Sequence, residues 1–174
     1  MSIIVKNLMN YKILKANNFD LINLVALNQK YLPMVSSLDI QSTLNFLKIS
    51  NYFKIIKFKN ELIGFLIALE PNKKYFSLNY KWFEKRYKSF LYIDRIVVKK
   101  EHQNKGLGTV LYQDLISYAG NKTNLITCEV NIKPQNKTSL LFHKKMGFSE
   151  VGTQMSENNQ KEVSLLSLSI KSSK

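Results

Sequence analysis

The chain has 174 residues, of which 45% are hydrophobic and 22% are charged, with 6 glycines and 3 prolines. This composition excludes collagen-like and intrinsically disordered chains. The excess of 26 Lys and Arg over 12 Asp and Glu gives a formal charge of +14, which favours anionic ligands. Nearly all of these cations are lysine, however, so the excess also fits the codon bias of a low-G+C genome.

The first part of the chain predicts two helices and a hairpin. Asn18 is a good N-cap for a helix that ends by Pro33, and a second helix begins at Asp39. Residues 52–59 then alternate apolar and basic side chains, whereas residues 62–69 are nearly all apolar. This pattern indicates an antiparallel hairpin with an exposed first strand and a buried second strand.

Residues 75–90 mix aromatic with basic side chains. Since recognition residues often lie on loops held by a rigid sheet, Tyr80, Trp82 and their aromatic neighbours are candidates for an acceptor pocket or lid. The alternative is an amphipathic helix that packs its aromatic side chains on the sheet. Stacking on nucleic-acid bases is a weaker alternative.

The second part of the chain predicts alternating strands and helices. A helix with Leu107, Leu111 and Leu115 on one face ends at Gly120. The predicted strands are 90–98, 125–132, 148–155 and 162–170, with a further helix from about 136 to 146. A mixed α/β fold follows from this order, and we expect one domain over residues 1–174.

A glycine turn joins the strand that ends at Val98 to the following helix. Gly106 and Gly108 allow a tight turn, and the first main-chain N–H groups of the helix have no partner within it. With the helix dipole, they form a site suited to pyrophosphate. A Rossmann motif is excluded because Leu111 stands where a small residue is needed, and the Walker sequence is absent. An ordinary turn glycine with a helix cap remains an alternative.

Two motifs carry a family resemblance. Gln103-x-x-Gly106-x-Gly108 resembles the Gln/Arg-x-x-Gly-x-Gly/Ala signature of the GNAT superfamily of N-acetyltransferases. The segment 136–148, with Asn, Ser, Phe-His and Gly-Phe at matching spacing, resembles a second motif of these enzymes. Within the superfamily, residues 80–98 and 128–148 look like a bacterial branch described only as predicted acetyltransferases.

The resemblance implies a central mixed, mostly antiparallel sheet with flanking helices and a splayed parallel pair of strands that holds acetyl-CoA, with no metal. It implies that Ile96, Val97 and Val98 bind the pantetheine arm and supply an N–H to the thioester carbonyl. The pyrophosphate contacts would come mainly from main-chain amides of Gln103, Asn104, Lys105, Gly106, Gly108 and Thr109. Asn136 would contact the pantetheine or hold the neighbouring loop.

Acetyl transfer to an amine needs a base, because a lysine-like amine has a pKa of about 10.4. Glu129 lies on the predicted strand face that also carries Thr127, and it is a candidate base or else a salt-bridge partner or polar anchor. Asp94 is a second candidate, also placed to contact the acceptor. Relatives protonate the leaving thiolate with a tyrosine where this chain has His143, which is a candidate acid or a packed helix residue.

The function expected from these residues is acetyl-CoA-dependent N-acetyltransfer to a primary amine, of a small molecule or a protein N-terminus, in a ternary complex. The alternatives are a non-catalytic acyl-CoA sensor and a basic RNA- or ribosome-associated module. His102 and Cys128 lack the spacing of a zinc site. With one cysteine, no signal-peptide layout and no apolar run of about 20 residues, we expect a cytoplasmic protein without membrane or nucleic-acid partners. A homodimer is compatible with the sequence.

Overall fold

The computed structural model describes residues 10–156 and 160–171. Most of the opening segment and of the polar C-terminal tail noted in the sequence lies outside these residues. The strands are β1 (Tyr11–Lys15), β2 (Tyr52–Phe58), β3 (Glu61–Leu69), β4 (Leu91–Val98), β5 (Leu125–Lys133), β6 (Ser149–Ser156) and β7 (Lys161–Ser169). The helices are α1 (Leu21–Gln29), α2 (Ile40–Ile49), α3 (Leu78–Glu84), α4 (Leu107–Ala119) and α5 (Lys137–Lys145).

The strands form one mixed sheet in the order β1-β2-β3-β4-β5-β7-β6. β4 and β5 are parallel, with register from Leu91↔Ile126 to Ile93↔Cys128, and both strands continue for five residues beyond this pairing. The pairs β1–β2, β5–β7 and β6–β7 are antiparallel. The predicted mixed α/β sheet with its parallel pair is therefore confirmed.

The chain divides into two compact units. The first contains the described residues up to Ile67 together with Arg95–Leu115, and the second contains Ala68–Asp94 together with the described residues from Ile116 onward. β3, β4 and α4 each have residues in both units. The expected single domain over residues 1–174 stays a prediction.

The first helical region differs in detail from its prediction. The cap is Asn17 rather than Asn18, because the Asn17 side chain accepts a hydrogen bond from the Phe19 amide and Asp20 accepts one from the Asn17 amide. This capping box begins a 3-10 turn, Asn18–Asp20, and α1 follows it. Asp39 does cap α2, as predicted, by accepting from the Ser42 amide.

The predicted hairpin is present, but its first strand is not exposed. Tyr52, Phe53, Ile55 and Ile56 of β2 are buried, so both faces of this strand are covered. Its outer edge is covered as well, because β1, which the sequence did not predict, pairs with it. Lys59 and Asn60 join β2 to β3 and both have positive φ, at 48° and 67°. Such values are typical of a two-residue hairpin turn.

Candidate active site

A glycine loop precedes α4 in the first unit. Within it, Asn104 and Gly106 have positive φ, at 58° and 81°, and residues 103–106 are exposed. A Cβ at Gly106 would meet no heavy atom within 4 Å, so glycine is favoured there by backbone conformation and not by lack of space. The first main-chain amides of the 13-residue helix α4 follow directly, and they are donors without partners in the helix.

The end of β4 is tied to this loop. Gln103 Nε2 donates to the Val98 carbonyl oxygen over 2.8 Å, and the Lys99 amide donates to the Ile63 carbonyl oxygen over 2.8 Å. A Cβ at Gly64 would lie 2.8 Å from the Val97 carbonyl oxygen, so glycine on β3 permits the close approach to β4. Sequence reasoning missed Gly64, although a glycine inside an apolar strand is a signal of such an approach.

These features of the first unit fit a coenzyme A pyrophosphate. The open, left-handed loop and the start of α4 offer main-chain donors and a positive dipole end, while Lys99, Lys100 and Lys105 supply positive charge nearby in sequence. Lys99 forms an ion pair with Glu61. Ile96, Val97, Val98, Gly108 and Thr109 occupy the strand end and helix start that the sequence predicted. Acetyl-CoA would supply the acetyl thioester at this strand.

In the second unit, two carboxylates accept hydrogen bonds from tyrosine hydroxyls. Tyr92 donates to Glu129 Oε1 over 3.0 Å, and Tyr75 donates to Asp94 Oδ1. Both carboxylate residues are half-buried, whereas Tyr92 is fully buried. Burial raises the pKa of the Tyr92 hydroxyl well above its usual range, and the charges of Glu129 and Asp94 act in the same direction. Tyr92 therefore stays protonated and orients Glu129.

The segment that contains Tyr75 is anchored over this part of the sheet. Ser77 accepts from the Tyr80 amide over 3.3 Å at the start of α3, and its hydroxyl lies 3.5 Å from that of Tyr92. The ring centroid of Tyr75 lies 5.6 Å from that of Tyr80 and 6.5 Å from that of Tyr92. Sequence reasoning missed Tyr92 as a site residue. It could have been found because it lies two residues before Asp94 and therefore on the same face of the strand.

Tyr80 and Trp82, which were predicted to contact the acceptor, differ in their exposure to solvent. Tyr80 is fully buried, and its hydroxyl donates to the Glu70 carbonyl oxygen over 2.8 Å. It therefore packs inside the unit and offers no exposed surface to an acceptor. Trp82 is half-exposed, with the Arg86 guanidinium carbon 3.5 Å from the centroid of its ring. The structure thus contains the amphipathic helix that was the alternative prediction for this segment.

Asn136 and His143 lie at the start and near the end of α5. Asn136 Oδ1 accepts from the Ser139 amide over 3.1 Å, so its side chain caps the helix. His143 is 3% exposed, and its Nδ1 lies 2.8 Å from the Ser139 carbonyl oxygen. Because a carbonyl only accepts, Nδ1 carries a proton. Burial lowers the pKa of His143, and the bond to Ser139 opposes that shift only in part.

The neutral imidazole has its single proton on Nδ1, so its Nε2 is an acceptor rather than a donor. A general-acid role for His143 through Nε2 would require the protonated ring, which burial disfavours. The contacts with the rings of Phe142 and Phe148, at centroid distances of 5.4 and 5.2 Å, favour the packing role that was the alternative prediction.

Comparison with known proteins decides the family. The sequence profile of the Acetyltransferase (GNAT) family matches residues 23–148, more than half of the chain. The chain belongs to the GNAT family. It is accordingly an acetyltransferase, as the two sequence motifs predicted. No curated protein matches the GNAT chain described here with statistical significance.

Solved structures agree on the GNAT fold. Ard1 from Thermoplasma volcanium has a TM-score of 0.77 at 13% identity, covering 93% of this chain and 99% of its own. Naa50 from Arabidopsis thaliana, solved with the bisubstrate analogue CoA-Ac-MVNAL, has a TM-score of 0.73 at 16% identity, covering 93% and 100%. A GNAT acetyltransferase from Streptococcus pneumoniae has a TM-score of 0.69 at 20% identity, covering 92% and 99%.

Membrane-spanning helices and metal clusters are both absent from the described part of the chain. None of its helices has the length and apolar character needed to cross a membrane. Its His, Cys, Asp and Glu side chains form no group of three or more that could hold a metal ion.

Proposed function

We propose that this protein transfers the acetyl group of acetyl-CoA to a primary amine by direct attack in a ternary complex, without an acyl-enzyme. The observation that carries the proposal is the half-buried carboxylate of Glu129, held by the buried Tyr92 hydroxyl at 3.0 Å. A carboxylate in a fixed orientation suits a general base, directly or through one water. The bisubstrate complex of the similar Naa50 supports coenzyme A as the co-substrate here.

In the proposed reaction, Glu129 takes one proton from the protonated amine. The nitrogen lone pair then attacks the acetyl carbonyl carbon, and the resulting oxyanion accepts a hydrogen bond from a main-chain N–H group. The carbon–sulfur bond breaks, the coenzyme leaves as a thiolate, and the second proton of the attacking nitrogen passes to it through water. The products are the N-acetyl amine and coenzyme A, with one proton left on Glu129.

The cofactor contacts in this proposal come from the residues that the family resemblance implied. Ile96, Val97 and Val98 bind the pantetheine arm, and the glycine loop with the start of α4 binds the pyrophosphate. Gln103 acts by fixing the loop to Val98, since its side-chain amide is already engaged there. Asn136 acts by capping α5.

Thiol release from acetyl-CoA with a panel of primary amines, together with the mass of the acetylated product, tests the proposal. We expect turnover with at least one amine and a loss of about 10²- to 10⁴-fold in kcat for Glu129→Gln, as is typical when a general base is removed. Glu162→Gln, which removes a surface ion pair with Lys133, is the control. Full activity of Glu129→Gln would refute Glu129 as the base.

A non-catalytic acyl-CoA sensor is the second candidate, favoured by the buried His143 with Nδ1 directed at Ser139. It predicts binding of acetyl-CoA by titration calorimetry with no acetylated product from any amine. Turnover of a single amine rejects the sensor. Absence of coenzyme binding rejects both candidates.

A further inference from the structure

His102 joins the glycine loop to the edge of the sheet in the first unit. It ends the 3-10 turn Lys100–His102, directly before Gln103, where the loop begins. The centroid of its ring lies 6.0 Å from that of Tyr11, at an interplanar angle of 90°, and 5.5 Å from that of Phe58. The Tyr11 hydroxyl lies 3.4 Å from Nδ1 of His102, which is long for a hydrogen bond. The ring contacts are therefore the main part of this junction.

Tyr11 and Phe58 form one platform for the imidazole ring. They are register partners on β1 and β2, and their ring centroids lie 4.9 Å apart. All three rings belong to half-buried residues, and ring pairs at such distances stabilise a structure beyond the apolar area that they bury. We refer to Tyr11, Phe58 and His102 as the aromatic clamp.

The face of β2 that carries Phe58 also holds α4 at a second point. Tyr52 and Lys54 lie on this face, because side chains two positions apart on a strand point the same way. The Tyr52 hydroxyl and Lys54 Nζ both donate to Oδ2 of Asp114 on α4, over 2.7 and 2.6 Å. One strand thus holds the chain before the helix start, at His102, and after it, at Asp114. The glycine loop and the first turn of α4 lie between these two points in the sequence.

A phosphate site made of main-chain amides depends on the position of its loop. The donors are part of the backbone, so they have no side-chain rotation with which to follow a displaced ligand, and a shift of the loop moves all of them together. Residues 103–106 are exposed, so they have little packing of their own. Binding groups need neighbours that hold them in place, and the aromatic clamp is such a neighbour for the glycine loop.

We propose that His102 is a positioning residue for coenzyme binding. It packs on Tyr11 and Phe58 and so holds the main-chain donors of the glycine loop where the pyrophosphate binds, and its imidazole needs no bond to the ligand. This inference rests on the proposed function, because it takes acetyl-CoA as the co-substrate. It gives the edge strand β1 a part in coenzyme binding.

Calorimetric titration of the full chain with coenzyme A tests the role of the ring. We expect the Kd to rise by about two- to tenfold in His102→Ala, since this variant removes the ring contacts. His102→Phe keeps an aromatic ring and should retain most of the affinity. A direct bond from the imidazole to a phosphate predicts instead that His102→Phe binds as weakly as His102→Ala, and that result would overturn the positioning role.

Steady-state kinetics provide a readout that lower stability alone would not change. The acetyl-CoA KM of His102→Ala should rise by a factor similar to that of the Kd, while the amine KM stays unchanged. An equal rise in both KM values would contradict a role confined to the coenzyme loop.

Phe58→Leu tests the same contact from the other side and covers the case in which His102→Ala fails to fold. Its side chain has no polar atom that could bind a phosphate, yet we expect the Kd for coenzyme A to rise. In the double variant with His102→Ala the Kd should rise no further than in His102→Ala alone, because both changes remove one interaction. Additive losses would show that Phe58 does not act through His102.

Phe53→Leu is the matched control, because Phe53 lies on the other face of β2 and its ring centroid is 6.2 Å from that of Phe65. It loses a ring contact of the same unit outside the aromatic clamp, so we expect lower stability with an unchanged Kd. An equal Kd in wild type, His102→Ala and Phe58→Leu, or an equal rise in Phe53→Leu, overturns the positioning role while the protein still binds coenzyme A. Absence of coenzyme binding by the wild type overturns the proposed function itself.

Discussion

The side-chain amide of Gln103 donates a hydrogen bond to the main-chain carbonyl of Val98 over 2.8 Å. This bond joins the start of the glycine loop to the last residue of β4, so each holds the position of the other. Gln103→Ala removes it, and such a bond is worth about 0.5–1.5 kcal/mol. We expect the Kd for coenzyme A to rise by about two- to tenfold. Titration calorimetry checks this, with Gln113→Ala on the exposed face of α4 as control, and equal affinities in the two variants would contradict it.

Gly106 and Gly108 should respond differently to alanine. Gly106 has φ of +81°, and an alanine there costs about 1 kcal/mol or more of backbone strain and moves the amides proposed to bind pyrophosphate. Gly108 lies inside α4, where alanine is favoured over glycine. We expect Gly106→Ala to weaken coenzyme A binding severalfold and Gly108→Ala to raise the thermal unfolding midpoint. Calorimetric Kd values and thermal melts of both variants test this difference. A loss of coenzyme A affinity confined to Gly108→Ala would show that Gly108, and not Gly106, sets the conformation of the binding loop.

His143 should make the stability of the protein depend on pH. Its pKa is lower in the folded protein than the ordinary value of 6.5 because the ring is buried, so protonation favours the unfolded chain. The contribution of the neutral ring is complete above about pH 6.5 and declines as the pH falls from there toward the lower folded pKa. We expect the wild-type melting temperature to fall more between about pH 8 and about pH 5.5 than that of His143→Phe. Equal falls in the two proteins would show that the ring is not held neutral.

Much of the fold was readable from the sequence because local signals agreed with it. The structure contains the elements predicted from three local patterns: the helix cap at Asp39, the hairpin of residues 52–69 and the glycine turn at Gly106. β1 was missed because Tyr11–Lys15 is short and mixes apolar with basic residues. Its strand conformation comes from pairing with β2, which is a tertiary effect that no local pattern reports.

The candidate site was less readable than the fold. Glu129 and Asp94 could be named because a carboxylate inside an apolar strand is unusual. Tyr92 and Tyr75 looked like ordinary aromatic residues, since their hydrogen bonds to those carboxylates depend on strand register and on the path of residues 70–77. Of the aromatic residues that suggested a pocket or lid, Tyr80, Phe83 and Phe90 are buried in the second unit, whereas Trp82 is half-exposed.

Arg95 should be a large contributor to the stability of the first unit. Arg95 is 6% exposed, and its guanidinium donates to Asn28 Oδ1, to the Ser36 carbonyl oxygen and to Ser36 Oγ, over 2.8–2.9 Å. Arg95→Met removes these donors. It leaves Oδ1 of the buried Asn28 without this bond, which costs about 1–3 kcal/mol, and it loses the two charge-assisted bonds to the exposed Ser36. We expect the free energy of unfolding to fall by about 2–4 kcal/mol in urea titrations. Arg86→Met, at an exposed position, is the control and should cost about 1 kcal/mol or less.

The contact between Gly152 and Trp82 should fix α3 against β6. A Cβ at Gly152 would lie 2.8 Å from Cζ2 of the Trp82 ring, and Gly152 lies where the register of β6 with β7 shifts. Gly152→Ala must therefore displace the ring, at a cost of about 1–3 kcal/mol in the free energy of unfolding. Trp82→Leu removes the obstructing atom, so the double variant should be more stable than the sum of the two single changes predicts.

Urea titrations of the wild-type protein, both single variants and the double variant measure this coupling energy. Because Trp82 is the single tryptophan of the chain, the fluorescence of Gly152→Ala also reports on the ring itself. A shifted emission maximum is expected as the ring moves away from its present contacts with Gly152 and Arg86. Circular dichroism follows unfolding in the variants that lack the tryptophan. Additive free energies combined with an unchanged emission maximum would mean that the ring and Gly152 do not press on each other.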